Sequence, residues 1–92
     1  MGLLFRWDAK KAELNLAKHG VSFEEASSAF GDPLSVTVED PEHSRGESRY
    51  ILLGETLHRE LVVVVHTDRK GEIRIISARI ASPRERRSYE RG

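Results

Sequence analysis

Ninety-two residues suffice for one domain, residues 1–92, and no more. With 38% hydrophobic and 33% charged residues, the chain is expected to fold as a thin core under a polar shell. The absence of cysteine excludes disulfides and thiolate metal sites and fits a reducing, cytoplasmic setting. The longest apolar run, Leu61 to Val65, is far short of the ~20 residues a membrane span needs, so no membrane role is expected. The Met1–Arg6 opening has too short an apolar stretch for a signal peptide. The formal net charge of zero conceals a segregation: residues 1–68 carry 7 Lys/Arg against 12 Asp/Glu, and residues 69–92 carry 8 against 3. Such a polarised chain suits a polyanion at one end and a basic partner at the other, although a solvated basic helix has the same composition.

Taken in chain order, residues 3–7 read as a short strand, and Asp8 as the N-cap of a helix running to Lys18, closed by His19-Gly20. Ala9, Ala12 and Leu16 share one face of that helix; Lys11, Asn15, Lys18 and His19 share another. Ser22-Phe-Glu-Glu25 is a capping-box sequence opening a second helix with Phe23, Ala26 and Phe30 as its apolar stripe, stopped by Gly31-Asp-Pro33. The period then changes to two. Leu34, Val36 and Val38 alternate with polar residues, residues 39–47 form a polar loop, and Ser48 to Gly54 is the next strand. The β-branched run Leu61–Val65 predicts a central strand covered on both faces. Asp68-Arg-Lys-Gly71 predicts a hairpin turn into a last strand, Glu72 to Arg79. Ser82-Pro-Arg-Glu85 starts a helix that runs from Pro83 towards Tyr89. The order β-α-α-β-β-β-β-α, with short links between the strands, predicts an α+β fold on an antiparallel sheet.

There is no Gly-rich phosphate loop, no His-Glu-x-x-His helix and no Gly-x-Ser-x-Gly elbow, and the four histidines (His19, His43, His58, His66) fall in four different elements. No cofactor and no metal site are therefore expected. What remains is arginine, histidine and one late tyrosine. Arg74 and Arg79, five apart in one strand, are expected on opposite faces. Arg79 ends an apolar row and reads equally as an ion-paired structural residue or as an anion ligand at a cleft. The loop packs His43, Arg45, Glu47 and Arg49 into seven residues, which suits either acid–base chemistry or ordinary solvation. In the last helix Arg84, Arg87 and Arg91 form a stripe, and Tyr89 reads either as a base-stacking residue or as the helix's core anchor.

Several stretches together resemble the BrnT family of type II toxins. They are Phe5-Arg-Trp-Asp-Ala-Lys-Lys11, Asn15-Leu-Ala-Lys-His-Gly-Val-Ser-Phe-Glu-Glu-Ala26, Phe30-Gly-Asp-Pro33, and His43, Glu47, Arg49 and Gly54 at their spacing. The most characteristic is Ile73-Arg-Ile-Ile-Ser-Ala-Arg79 running into Arg84-Glu-Arg-Arg-Ser-Tyr-Glu90. The resemblance implies a RelE-like fold and a metal-independent endoribonuclease that inhibits translation. It also implies a BrnA-like ribbon-helix-helix antitoxin. The two form a heterotetramer of two toxins and two antitoxins that represses its own operon, touching operator DNA only through the antitoxin. Within that frame Arg74 and Arg79 are expected to stabilise the phosphate, and His43 with Glu47 to do acid–base work assisted by Arg49. Arg84, Arg87, Arg91, Tyr89 and Lys18 are the expected RNA contacts. Two rival functions fit the same polarised surface: a non-catalytic module that completes a repressor with the antitoxin, and a ParE-like inhibitor of a protein target.

Overall fold

The computed structural model describes residues 2–44 and 46–92; Arg45 of the polar loop lies outside the described residues. The elements follow the expected order: β1 (Leu4–Arg6), α1 (Ala9–His19), α2 (Phe23–Ser28), β2 (Val36–Glu39), β3 (Arg49–Glu55), β4 (Leu61–Arg69), β5 (Glu72–Ile80) and α3 (Pro83–Arg91). Single 3-10 turns follow α2 and β2. Local chemistry sets the helix ends. The Asp8 carboxylate accepts from the Lys11 amide, and Gly20 closes α1 at φ 72°, where a side chain would be strained. The Ser22 hydroxyl accepts from the Glu25 amide, and Ser82 and Glu85 complete a reciprocal box at the start of α3.

The sheet order is β1-β5-β4-β3-β2. The β2–β5 meander is antiparallel, and β4 lies at its centre with Leu61 to Val64 buried, as the β-branched run predicts. β1, however, pairs with β5 in parallel, so the sheet is mixed rather than purely antiparallel. Hairpin links enforce antiparallel pairing only between successive strands, and the whole meander separates β1 from β5.

The last strand holds a second departure. Val65 pairs with Ser77 but His66 pairs with Ile75, which leaves Ile76 as the extra residue of a β-bulge. The bulge resets the alternation. Ile73, Ile75 and Ala78 all turn towards the helices and are buried, while Arg74 and Arg79 stand opposite Thr67 and Val63. Those two residues of β4 are four apart and share a face. Arg74 and Arg79 therefore lie on the same face of the sheet, not on opposite faces.

α1 and α2 cover that core face, where Val21, Phe23, Ala26 and Ala29 pack on Leu52, Val62, Val64, Ile73, Ile75 and Ala78. Gly54 is needed at their meeting point, because a Cβ there would lie 3.0 Å from both the Ala29 carbonyl oxygen and the Ser35 Cβ. α1 is turned differently from its expected stripe. Leu16 is 51% exposed, and Asn15, assigned to the polar face, is buried. Its amide donates to the carbonyls of Ala78 (2.8 Å) and Val21 (3.0 Å), and its oxygen accepts from the Ala78 amide (3.1 Å). β1 is too short to reach that part of β5, so the Asn15 carboxamide serves as its hydrogen-bonding partner. On the other face of the sheet, Glu85, Ser88 and Tyr89 of α3 border an apolar groove floored by Val36, Val38, Ile51, Leu53 and Val63.

Candidate active site

The polar loop is pinned before any side chain reaches solvent. The Asp40 amide donates to the Arg49 carbonyl (2.8 Å), the Ser44 hydroxyl to the Asp40 carbonyl (2.6 Å), and the Arg49 amide to Ser44 Oγ (2.9 Å). This brace brings His43, Glu47 and Arg49, with Glu42, around one open cleft of about 500 Å3. Arg74 reaches Glu47 from β5, and its guanidinium donates to the Glu47 carboxylate. A second cleft of about 500 Å3 shares Glu47 with the first and is walled also by Arg74, Arg6, Arg69 and Glu72. Arg6 is paired with Glu72 at 3.0 Å, so each arginine of the parallel Arg6/Arg74 step has its own exposed carboxylate. Such exposed pairs hold position weakly and can be exchanged for a phosphate.

Four of the five expected catalytic residues thus come together: His43, Glu47, Arg49 and Arg74. Their partners differ from the expected ones. Glu47 is occupied by Arg74, and the carboxylate on His43 is that of Asp40, 2.9 Å from Nδ1. A carboxylate only accepts, so this contact takes the Nδ1–H of His43 and fixes how the ring is turned. Asp40 was missed, although an Asp three residues before a His across a Pro-initiated turn is a readable signal. Arg6 and Arg69 were missed: the pairing of β1 with β5 brings Arg6 here, and the extension of β4 to pair Arg69 with Glu72 brings Arg69. Among the described residues, Asp40, Glu42 and His43 also present ligand atoms within 4.8 Å of one another, the one group with metal-ligand spacing.

Arg79 does not join this cluster. It lies roughly 15 Å further along β5 at ~3.3 Å per residue and grips both oxygens of Glu85 at 2.8 Å. That hydrogen bonding outweighs burial and holds Arg79 firmly protonated. The Arg79 contact, followed by burial acting the other way and by the Ser82 amide, brings the Glu85 carboxyl from 4.5 down to about 2. Glu85 thus contributes stability that is present above pH 4.5 and lost as pH falls towards 2. Glu85→Gln is expected to flatten the thermal stability profile over that window. An unchanged acid slope in the variant would contradict the pairing.

Tyr89 is also committed to the fold. Its hydroxyl donates to Asp32 Oδ2 at 2.6 Å, which pushes its pKa up to about 12. Burial would raise the Asp32 carboxyl, but the Tyr89 hydroxyl and the amides of Glu55 and Leu34 more than offset this and keep it low. Arg84, Arg87 and Arg91 are exposed on α3, whereas Lys18 is exposed on α1, across the sheet from them.

The fold is that of the small ribonuclease toxins of type II toxin–antitoxin systems. The chain belongs to the BrnT family: the model of that family, described as "Ribonuclease toxin, BrnT, of type II toxin-antitoxin system", matches residues 7–85. It is similar to the crystal structure of the Brucella abortus ribonuclease toxin, BrnT, with 27% identity and a TM-score of 0.55 over 89% of this chain and 97% of that one. No curated protein matches the chain. No helix among the described residues is long and apolar enough to cross a membrane.

Proposed function

We propose that the chain is a metal-independent endoribonuclease that inhibits translation by cutting RNA, with the His43–Glu47–Arg49–Arg74 cleft as its centre. The observation that carries this reading is the meeting of two open, polar clefts at Glu47, one walled by Arg49 and by His43 held on Asp40, the other by Arg74. His43 Nε2 takes the proton of a ribose 2′-hydroxyl, and that oxygen attacks the adjacent phosphorus. Arg74 and Arg49 meet the charge that develops on the phosphoryl oxygens. The 5′-oxygen leaves and takes up a proton from solvent, giving a 2′,3′-cyclic phosphate and a 5′-hydroxyl end. Glu47 holds Arg74 at the wall until phosphate displaces it. Arg84, Arg87 and Arg91 supply charge for the RNA backbone. Arg79 and Tyr89 are read as anchors of α3, and Lys18 as a residue outside the path.

A BrnA-like ribbon-helix-helix antitoxin is the proposed partner, in a complex of two toxins and two antitoxins that represses its own operon and meets operator DNA only through the antitoxin. The family's type II membership supports an antitoxin. So do Leu14 and Leu16 on α1 and Val36 and Val38 on β2, large apolar residues left about half exposed or more.

Purified protein incubated with bulk RNA tests the reading. Cleavage is expected with and without EDTA. Loss of cleavage on chelation, restored by zinc or manganese, would transfer the chemistry to an ion on Asp40, Glu42 and His43.

A further inference from the structure

Phe30, Tyr50 and His66 wall a cavity of about 350 Å3 that no residue of the proposed chemistry uses. Its size falls within the ~300–1,000 Å3 of small-molecule pockets. It exists because α1 and α2 pack over Leu52, Val62, Val64 and Ala78 and leave one end of the core face uncovered. Tyr50 and His66 are direct cross-strand partners, and their rings lie 5.9 Å apart at 28°. Phe30 meets His66 edge-on at 4.7 Å and 75°. His66 is 3% exposed and donates Nδ1–H to the Val64 carbonyl at 3.2 Å, so it is a fixed wall. Tyr50 is only half-buried. Leu3 and Ile73 complete the apolar lining, and Thr37 and Asp68 stand at its rim. One Asp68 oxygen accepts from the Gly71 amide, and the carboxylate keeps further acceptor capacity.

Flat aromatic walls with a few polar groups at the rim suit a flat heteroaromatic ring, because every nucleobase has a π-face to stack. Location decides which kind of ring. Tyr50 and Asp68 also wall the cleft that holds Arg6, Arg69 and Arg74, so the slot adjoins Arg74, one of the two arginines proposed to meet the phosphate, and two further arginines beside it. We propose that this cavity is a nucleobase slot, which receives an unpaired base of the RNA while the attached phosphate lies among Arg6, Arg69 and Arg74. The inference rests on the ribonuclease reading and adds a positioning site to it.

The test follows the ring resonances of His66 and Tyr50 in the intact protein during titration with an uncleavable 2′-deoxy dinucleotide and with its abasic counterpart. The base-bearing ligand is expected to shift both rings; the abasic one is not. In parallel, Tyr50→Leu is expected to lower kcat/KM on a short oligoribonucleotide about ten- to a hundredfold, with Tyr50→Trp restoring most of it. Equal shifts from the two ligands, or wild-type cleavage by Tyr50→Leu, would overturn the slot. The titration uses the unmutated chain, so a poorly folded variant does not leave the proposal undecided. RNA cut normally while both rings stay silent removes the slot and leaves the nuclease. Rings that respond to the base in a protein that cuts no RNA keep the slot and remove the nuclease.

Discussion

Arg74→Ala is expected to slow RNA cleavage by about a hundred- to a thousandfold while leaving the melting temperature almost unchanged. The two halves of that expectation have separate causes. Arg74 is the arginine that β5 delivers to the Glu47 side of the cleft. Loss of one donor aimed at developing charge costs ~2.7–4 kcal/mol of barrier. Its side chain is half exposed and its partner Glu47 is 38% exposed, and pairs of that kind add only ~0–1 kcal/mol to stability. Arg79→Ala should give the opposite pattern. It removes the bidentate grip on Glu85 and loosens the start of α3, lowering stability more than intrinsic cleavage. Steady-state cleavage and thermal melts of both variants separate the roles. An Arg74→Ala protein that cuts at the wild-type rate, or an Arg79→Ala protein that is fully folded and inactive, would exchange the two assignments.

Asn15→Ala is expected to produce the largest loss of stability of any single truncation in α1. Three backbone groups, the Ala78 amide and the carbonyls of Ala78 and Val21, lose their partner at a buried position. Each buried group left unsatisfied costs ~1–3 kcal/mol. A total of about 3 kcal/mol or more corresponds to a fall of roughly 12 °C or greater in a domain of this size. Leu16→Ala, at an exposed position one residue on, should change the melting temperature by little. A thermal scan decides the matter; an Asn15→Ala protein within 3 °C of wild type would mean that β5 finds another partner there.

Asn15 also shows where reading the sequence stopped. Caps, turns and periods are local, and Asp8, Gly20, Ser22, Ser82 and the Asp68–Gly71 turn placed the helices and strands to within a residue or two, except β4, which runs four residues past Val65 and takes in Asp68 and Arg69. The apolar alternation cannot say which amide of a helix will serve a distant strand, so Asn15 was placed with the lysines. The bulge at Ile76 was equally hidden. Nothing in the Ile73–Arg79 sequence marks an extra residue, and a single one moves Arg79 to the face of Arg74. The parallel pairing of β1 depends on the whole chain between the two strands, and with it went Arg6. In the site, spacing within one loop was enough to bring His43, Glu47 and Arg49 together. The choice of Asp40 over Glu47 as the partner of His43 depends on the turn geometry of Pro41–His43, which residue types alone do not specify.

The ends of the cleaved RNA test the proposed chemistry most directly. An oligonucleotide of deoxyribose units with a single ribose, incubated with the purified protein in EDTA, is expected to be cut only on the 3′ side of that ribose, leaving a 2′,3′-cyclic phosphate and a 5′-hydroxyl. Mass spectrometry of the fragments reads both ends at once. Cutting at deoxyribose positions, or a 3′-hydroxyl opposite a 5′-phosphate, would show that water rather than the 2′-hydroxyl attacks, and would contradict the roles given to His43, Arg49 and Arg74.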